Sequence, residues 1–404
     1  MRSNSRHQNA LLAMLCAFAL SWAFPSPAVA QNTGSGAGDQ VALPQIISLF
    51  GAQNTGGTVP LGIFAPLGAG DQGFVRIQGR VQRGPEAPPP PTTEILLDMR
   101  EEMRKFVISI AKYARTHRPN FRVVARGGLD LLVKRDDIDE TKSSPARSYM
   151  RALDGLVAEG LFFTERRPGT PPPPERQVRM IGLAEFAKKN GIRVMTLDYG
   201  SGPEHVDKAR GEANRRGFIS LVTDRPLIDM AALPIYPKRP FGENATSVIA
   251  LDQVQNFVVV ANSLPYGRED VFALKMHDTN YDMVIVDVFH GRKPLSKRAV
   301  ETLKYKKVGT KRLVLAKMDI GSAANYMYYW KDNWREGSPP WVSAPQRGDP
   351  DRHHVEFWRP GWKLLISGDT KSYLYGIIAQ GFDGVFLDGL EAYKYYEGGG
   401  ADGE

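Results

Sequence analysis

The sequence predicts an α/β protein whose main domain, residues 93–397, is a (β/α)8 TIM barrel. Three observations predict it. Eight short runs are apolar at nearly every position, as strands buried on both faces are. Segments of helical spacing separate most of them. The runs close, toward their C-termini, on acidic residues that one mouth of such a barrel would gather. A doubly wound open sheet is the alternative, and it is disfavoured because no Gly-rich dinucleotide fingerprint follows any run.

The elements follow in order. Leu96, Met99, Met103, Phe106, Val107, Ile110 and Tyr113 recur at helical spacing ahead of the first strand, 121–128 (FRVVARGG). The second strand is 155–160 (GLVAEG). A helix (GLAEFAKKNG) stops at Asn190-Gly191 and feeds the third, 192–200 (IRVMTLDYG). A helix over 203–216 stops at Gly217 and feeds the fourth, 218–224 (FISLVTD). After a longer connection come strand 257–263 (FVVVANS) and a helix around 269–276. Strand 283–291 (MVIVDVFHG) precedes a helix over 296–307. Strand 312–321 (RLVLAKMDIG) and a helix across 361–380 lead to the eighth strand, 384–388. That last strand raises a question of order, because nothing after it could supply further barrel elements.

Residues 1–30 have the pattern of an export signal: Arg2 and Arg6, an apolar stretch over 10–24, and Ala28-Val29-Ala30 as a small-residue cleavage site. The apolar stretch is short for a membrane span, which needs about 20 residues. The one cysteine, Cys16, lies inside this leader, so the remainder has neither disulfide nor thiol chemistry. Residues 31–92 are rich in Gly, Pro, Ser and Gln and read as a tether, with a hairpin-like alternation in GFVRIQGRVQ. Their glycines lack the strand and helix that a phosphate loop needs. The net charge of +8 is scattered over helical faces, which argues against a nucleic-acid partner and allows at most weak attraction to anionic surfaces.

The strand ends offer Glu159, Asp198, Asp224, Asp287, Asp319 and Asp388. One such acid commonly caps the next helix; six converging on one mouth fit a carbohydrate site, since glycosidic cleavage needs two carboxylates. Aromatics in the same loops, among them Tyr199, Tyr326, Trp330 and Tyr393, would suit stacking on sugars. His290, His353 and His354 lack metal-ligand spacing, so no metal and no cofactor is expected.

Five segments, NYDMVIVDVFHG, LVLAKMDIGSAANYMYYW, PPWV, VEFWRPGW and GFDGVFLDGLEAYKYYE, resemble in that order the first half of the endo-α-1,4-polygalactosaminidase-like hydrolases, glycoside hydrolase family 114. Segments similar to that family's second half come earlier here: MREEMRKFVISIAKYARTHRPNFRVVARGG, YMRALDGLVAEGLFF, AKKNGIRVMTLDYGSGPE and RGFISLVTDRPL. The chain therefore resembles a circular permutant, and the order question has an answer: what should follow the last strand stands at the front. A closed barrel has no privileged first strand, so such an exchange is tolerated where the new ends are exposed and close. It requires 123–126 to pair in parallel with 385–388.

The resemblance implies Asp388 and Glu159 as the cleaving pair, one the acid and the other nucleophile or base. The apolar neighbours in GLVAEGLFF suit Glu159 to the acid role. The chain also departs from the family. Ser322, Ala324, Asn325 and Met327 stand where its third-strand motif has Glu, Glu, Asp and Arg, and Arg126 and Gly127 replace a Gln-Asn pair. Arg126 would suit an anionic sugar. Two expectations result. One is a secreted or periplasmic, monomeric hydrolase of an extracellular, amino-sugar-containing polysaccharide or oligosaccharide. The other is a decayed barrel that binds glycan in polysaccharide export or surface assembly. Asp287, Asp319, Asp198, Tyr199, Asp224, Arg126, Tyr326, Trp330 and Tyr393 are the expected substrate contacts.

Overall fold

The computed structural model describes residues 97–135, 142–226 and 229–398. The expected leader and tether lie outside the described residues. One sheet holds eight strands: β1 (Arg122–Arg126), β2 (Gly155–Glu159), β3 (Arg193–Tyr199), β4 (Ile219–Thr223), β5 (Phe257–Val260), β6 (Met283–Asp287), β7 (Leu313–Asp319) and β8 (Gly384–Asp388). Their ladder order is β4-β3-β2-β1-β8-β7-β6-β5, and every neighbouring pair is parallel. This is a nearly closed (β/α)8 barrel. Among the described residues no ladder joins β4 to β5, its two end strands.

The first and last of these strands meet in the sheet. Arg122, Val123, Val124 and Ala125 lie opposite Gly384, Val385, Phe386 and Leu387, the parallel pairing expected of the first and last strands of such a barrel. Beside this joint, helix α1 (Met99–His117) begins at Asp98, whose carboxylate accepts the Glu101 N–H. Its Met103, Phe106, Val107, Ile110 and Ala114 are buried at helical spacing. Arg100 on its outer face grips Glu397 with two bonds, of 2.7 and 2.9 Å, and so ties the first helix to the last.

Strand alternation builds two apolar layers. Val124, Val157, Met195, Leu197, Leu221, Val259, Ile285, Leu315 and Phe386 form a cluster inside the barrel. Residues of the opposite parity, such as Val123, Leu156, Val194, Val258, Val284, Val314 and Val385, join the cluster that includes the surrounding helices. This parity decides which strand-end residues reach the mouth.

Three local expectations are corrected. The helix across 361–380 is two helices, Pro360–Ser367 and Tyr373–Gln380; Gly368 ends the first, and the Ser372 hydroxyl accepts the Tyr375 N–H to start the second. The helix over 296–307 stops at Leu303, and beyond it Lys306 turns inward to a buried ion pair with Asp282 at 2.5 Å. Strand 283–291 ends at Asp287, and Phe289–His290 pairs instead with Lys293–Pro294. The sequence reading also missed an antiparallel insert of Ser322–Ala324, Val342–Gln346 and Asp349–Val355.

Candidate active site

Continuing the interior parity to the strand ends brings Arg126, Glu159, Tyr199, Asp287, Lys317, Asp319 and Asp388 to one mouth. Arg126 stands at its centre. Its Nη1 donates to Asp388 Oδ1 and its Nη2 to Glu159 Oε1, each at 2.6 Å. One guanidinium thus bridges the two carboxylates implied as a cleaving pair. The Tyr199 hydroxyl donates to the same Glu159 oxygen. Lys317 Nζ lies 3.2 Å from Asp388 Oδ2, and the Gly389 N–H donates to Oδ1 at 2.9 Å. Burial by itself would raise the Asp388 carboxyl. Arg126 and then Lys317 outweigh it and hold Asp388 well below the usual carboxylate range. Glu159 meets a guanidinium and a phenol, not the apolar wall that its sequence neighbours suggested.

Asp319 is locked. Its Oδ1 accepts the Gly321 and Ser322 N–H groups, and its Oδ2 accepts from the Ser322 hydroxyl at 2.5 Å and from Arg352 at 3.0 Å. The loop after β8 passes so close that a Cβ on Gly321 would lie 2.1 Å from the Gly389 carbonyl oxygen, so glycine is required there. Asp287 also keeps local company: it accepts the Phe289 N–H at 2.8 Å, while burial pushes its carboxyl up.

Arg126, Glu159, Lys317, Asp319 and Asp388 floor a cavity of about 1470 Å³, while Tyr199 and Asp287 are not among its lining residues. That exceeds the roughly 300–1,000 Å³ of a small-molecule pocket. One wall is the chain between β2 and the helix Pro174–Lys189, carrying Glu165, Arg166, Arg167 and the run 171–174 of four prolines. The opposite wall carries Arg352, His354, Glu391, Lys394 and Tyr395. The Tyr395 and His354 rings stack 3.6 Å apart. Enclosure pushes the Glu165 carboxyl up, and the negative charge of Glu159 adds to it.

Five further expected contacts lie outside the lining of this cavity. Asp198 has the opposite parity: it is fully buried on the outer side of β3, where its Oδ1 accepts the Phe162 and Phe163 N–H groups at 2.6 and 3.0 Å. Burial pushes it up to about 6. It therefore holds the loop after β2. Asp224 also has the outer parity and is exposed beside Arg225. Tyr393 is fully buried, with Arg100 over its ring at 5.1 Å. Trp330 stacks on His353 at 5.2 Å, within the aromatic packing of Trp334 and Trp341. Tyr326 lies exposed outside the lining, but its hydroxyl receives a 2.6 Å bond from Arg352, which does line the cavity.

Sequence reading missed Lys317, Glu165 and Arg352. Alternation from Leu313 and Leu315 could have found Lys317; nothing local signals the other two. Among the described residues no group of three His, Cys, Asp or Glu is placed to hold a metal ion, and no helix is long and apolar enough to cross a membrane.

No family model matches the chain. It is similar to an uncharacterized protein, MJ1477, of Methanocaldococcus jannaschii, 31% identical over 126 residues, or 31% of this chain and 35% of that one. An uncharacterized protein of Deinococcus radiodurans is 28% identical over 148 residues, 37% of this chain and 44% of its own. One of Thermotoga maritima is 24% identical over 131 residues, 32% and 39% respectively. The chain thus spans less than half the length of each of these relatives.

Proposed function

We propose that this protein is an exported glycoside hydrolase that cuts an extracellular polysaccharide with the pair Asp388 and Glu159. The observation that carries the reading is the convergence of these two carboxylates, from β8 and β2, on the single Arg126 at the floor of a large cavity. Convergent polar groups with perturbed ionisation in a large cleft mark a functional site. The resemblance to the polygalactosaminidase-like hydrolases, with its halves exchanged, supports the same pair. A linear match that covers about a third of each chain is what an exchanged order would leave.

The two carboxylates take different roles. Asp388, held ionised by Arg126 and Lys317, serves as nucleophile or base. Glu159 delivers a proton to the glycosidic oxygen as the bond to the anomeric carbon breaks, and water adds to that carbon, surrendering its proton to a carboxylate. Glu165, whose carboxyl is pushed up by desolvation and by the charge of Glu159, lies on the wall beside them. Arg126 must release at least Glu159 as the sugar enters, since one guanidinium now occupies the approach to both acids.

That same ion pairing favours a second reading, in which the barrel binds glycan and does not cleave it. Asp388→Asn and Glu159→Gln separate the two. Positioned acid–base groups contribute about 10²–10⁴-fold each, so both variants should lose nearly all release of reducing ends while still binding oligosaccharide. Unchanged rates in both would refute the pair.

A further inference from the structure

We infer that the polysaccharide taken by this cavity is acidic, carrying carboxylate groups along its chain; this rests on the glycan reading above and names the substrate class. The acids of the cavity are already matched. Asp388 and Glu159 share Arg126, with Lys317 on Asp388; Asp319 holds Arg352; Glu391 holds Lys394 at 2.7 Å. Only Glu165 has no cation in ion-pair contact among the described residues.

The cations are not matched in return. Arg166, Arg167 and Arg176 all line the wall, and none of them has an ion-pair partner among the described residues. At the floor, Arg126 Nε is buried without a hydrogen-bond partner. Three unpaired arginines face one unmatched glutamate, so the cavity carries surplus positive charge where a polymer would lie. The proline run 171–174 separates Arg167 from Arg176, and Pro173 has φ −52° and ψ 141°, the extended geometry of a polyproline segment. Pro174 opens the helix Pro174–Lys189, so Arg176 is held on its first turn, while Arg166 and Arg167 lie on the other side of the proline run.

Guanidinium is suited to this task because its planar fork matches a carboxylate through two parallel bonds. A polymer of free amino sugars is a polycation and would be repelled by the same wall. Amino sugars whose nitrogen is acylated are neutral and remain compatible, provided that acidic units accompany them. The Tyr395 ring stacked on His354 provides an aromatic surface on the opposite wall for the apolar face of a sugar.

Calorimetric titration of the full chain tests this with four probes: an oligogalacturonate, a sulfated oligosaccharide, a neutral cello-oligosaccharide and a chitosan oligomer. The oligogalacturonate should bind tightest. Its affinity should fall at least about tenfold between about 0.01 M and 1 M ionic strength, as the screening length drops from about 30 Å to about 3 Å. The triple variant Arg166→Gln, Arg167→Gln, Arg176→Gln alters exposed side chains, so its melting temperature should be retained while its affinity falls by about tenfold or more. Equal or tighter binding of the neutral or chitosan probe overturns the inference, as does unchanged oligogalacturonate binding in the triple variant. Tighter binding of the sulfated probe overturns the carboxylate assignment, and binding of none of the four overturns the whole. Salt-sensitive binding without cleavage sustains this inference and sinks the hydrolase; cleavage of neutral polymer that the triple variant retains does the reverse.

Discussion

Replacing Arg126 with Gln removes the one cation shared by Glu159 and Asp388. The three side chains are about a fifth or less exposed, and both contacts are 2.6 Å long. Removing one partner of a buried ion pair costs about 3–5 kcal/mol, because the other is left uncompensated. Here Lys317 remains 3.2 Å from Asp388 and water reaches the mouth, so the expected loss is at the lower end, about 3 kcal/mol. The pH dependence follows from the lowered Asp388 carboxyl. A carboxylate depressed in the folded state stabilises fully above its unfolded value, about 3.9, and loses that contribution as pH falls through the folded one. The variant lacks most of this term, so its deficit should be full at neutral pH and narrow below about pH 4. Urea unfolding at neutral and acidic pH reads both quantities. A deficit under about 1 kcal/mol, or one equal at both pH values, would refute the reasoning.

Two further predictions concern groups outside the mouth. Asp198→Asn keeps an oxygen for the Phe162 and Phe163 N–H groups and removes a charge that burial penalises. With the folded value pushed up to about 6, the wild type loses stability as pH rises from about 4 through 6; the variant should therefore be more stable by about 2–3 kcal/mol at neutral pH and show no gain near pH 4 in thermal melts. Lys306→Met leaves Asp282 fully buried without its cation, which should cost about 3–5 kcal/mol in urea unfolding; a loss below 1 kcal/mol would show that Asn244 and the Gln255 N–H suffice to hold that carboxylate.

How far the sequence reaches can be followed along β3 and β7. The runs IRVMTLDYG and RLVLAKMDIG are apolar enough to announce buried strands, and the barrel is readable from eight of them. Those same runs hide which side chain points inward, because both faces are apolar until the last residues. Asp198 and Tyr199 are adjacent and equally plausible by type; one holds an outer loop and the other meets Glu159. Lys317 was legible only through strict alternation from Leu313. Glu165 and Arg352 come from a proline-rich wall and an antiparallel insert, whose positions depend on contacts distant in sequence. The apolar company of Glu159 in sequence misled for the same reason: its actual partner, Arg126, lies on the neighbouring strand.

The most direct test of the central claim is to incubate an acidic polysaccharide with the wild type and with Asp388→Asn in heavy-oxygen water and to analyse the products by mass. Hydrolysis adds one water oxygen per cut. The wild type should release oligosaccharides with one labelled oxygen at each new reducing end, and the variant should release almost none. Polymer that the wild type binds yet leaves at full length, unlabelled, would contradict the account and establish a binding barrel.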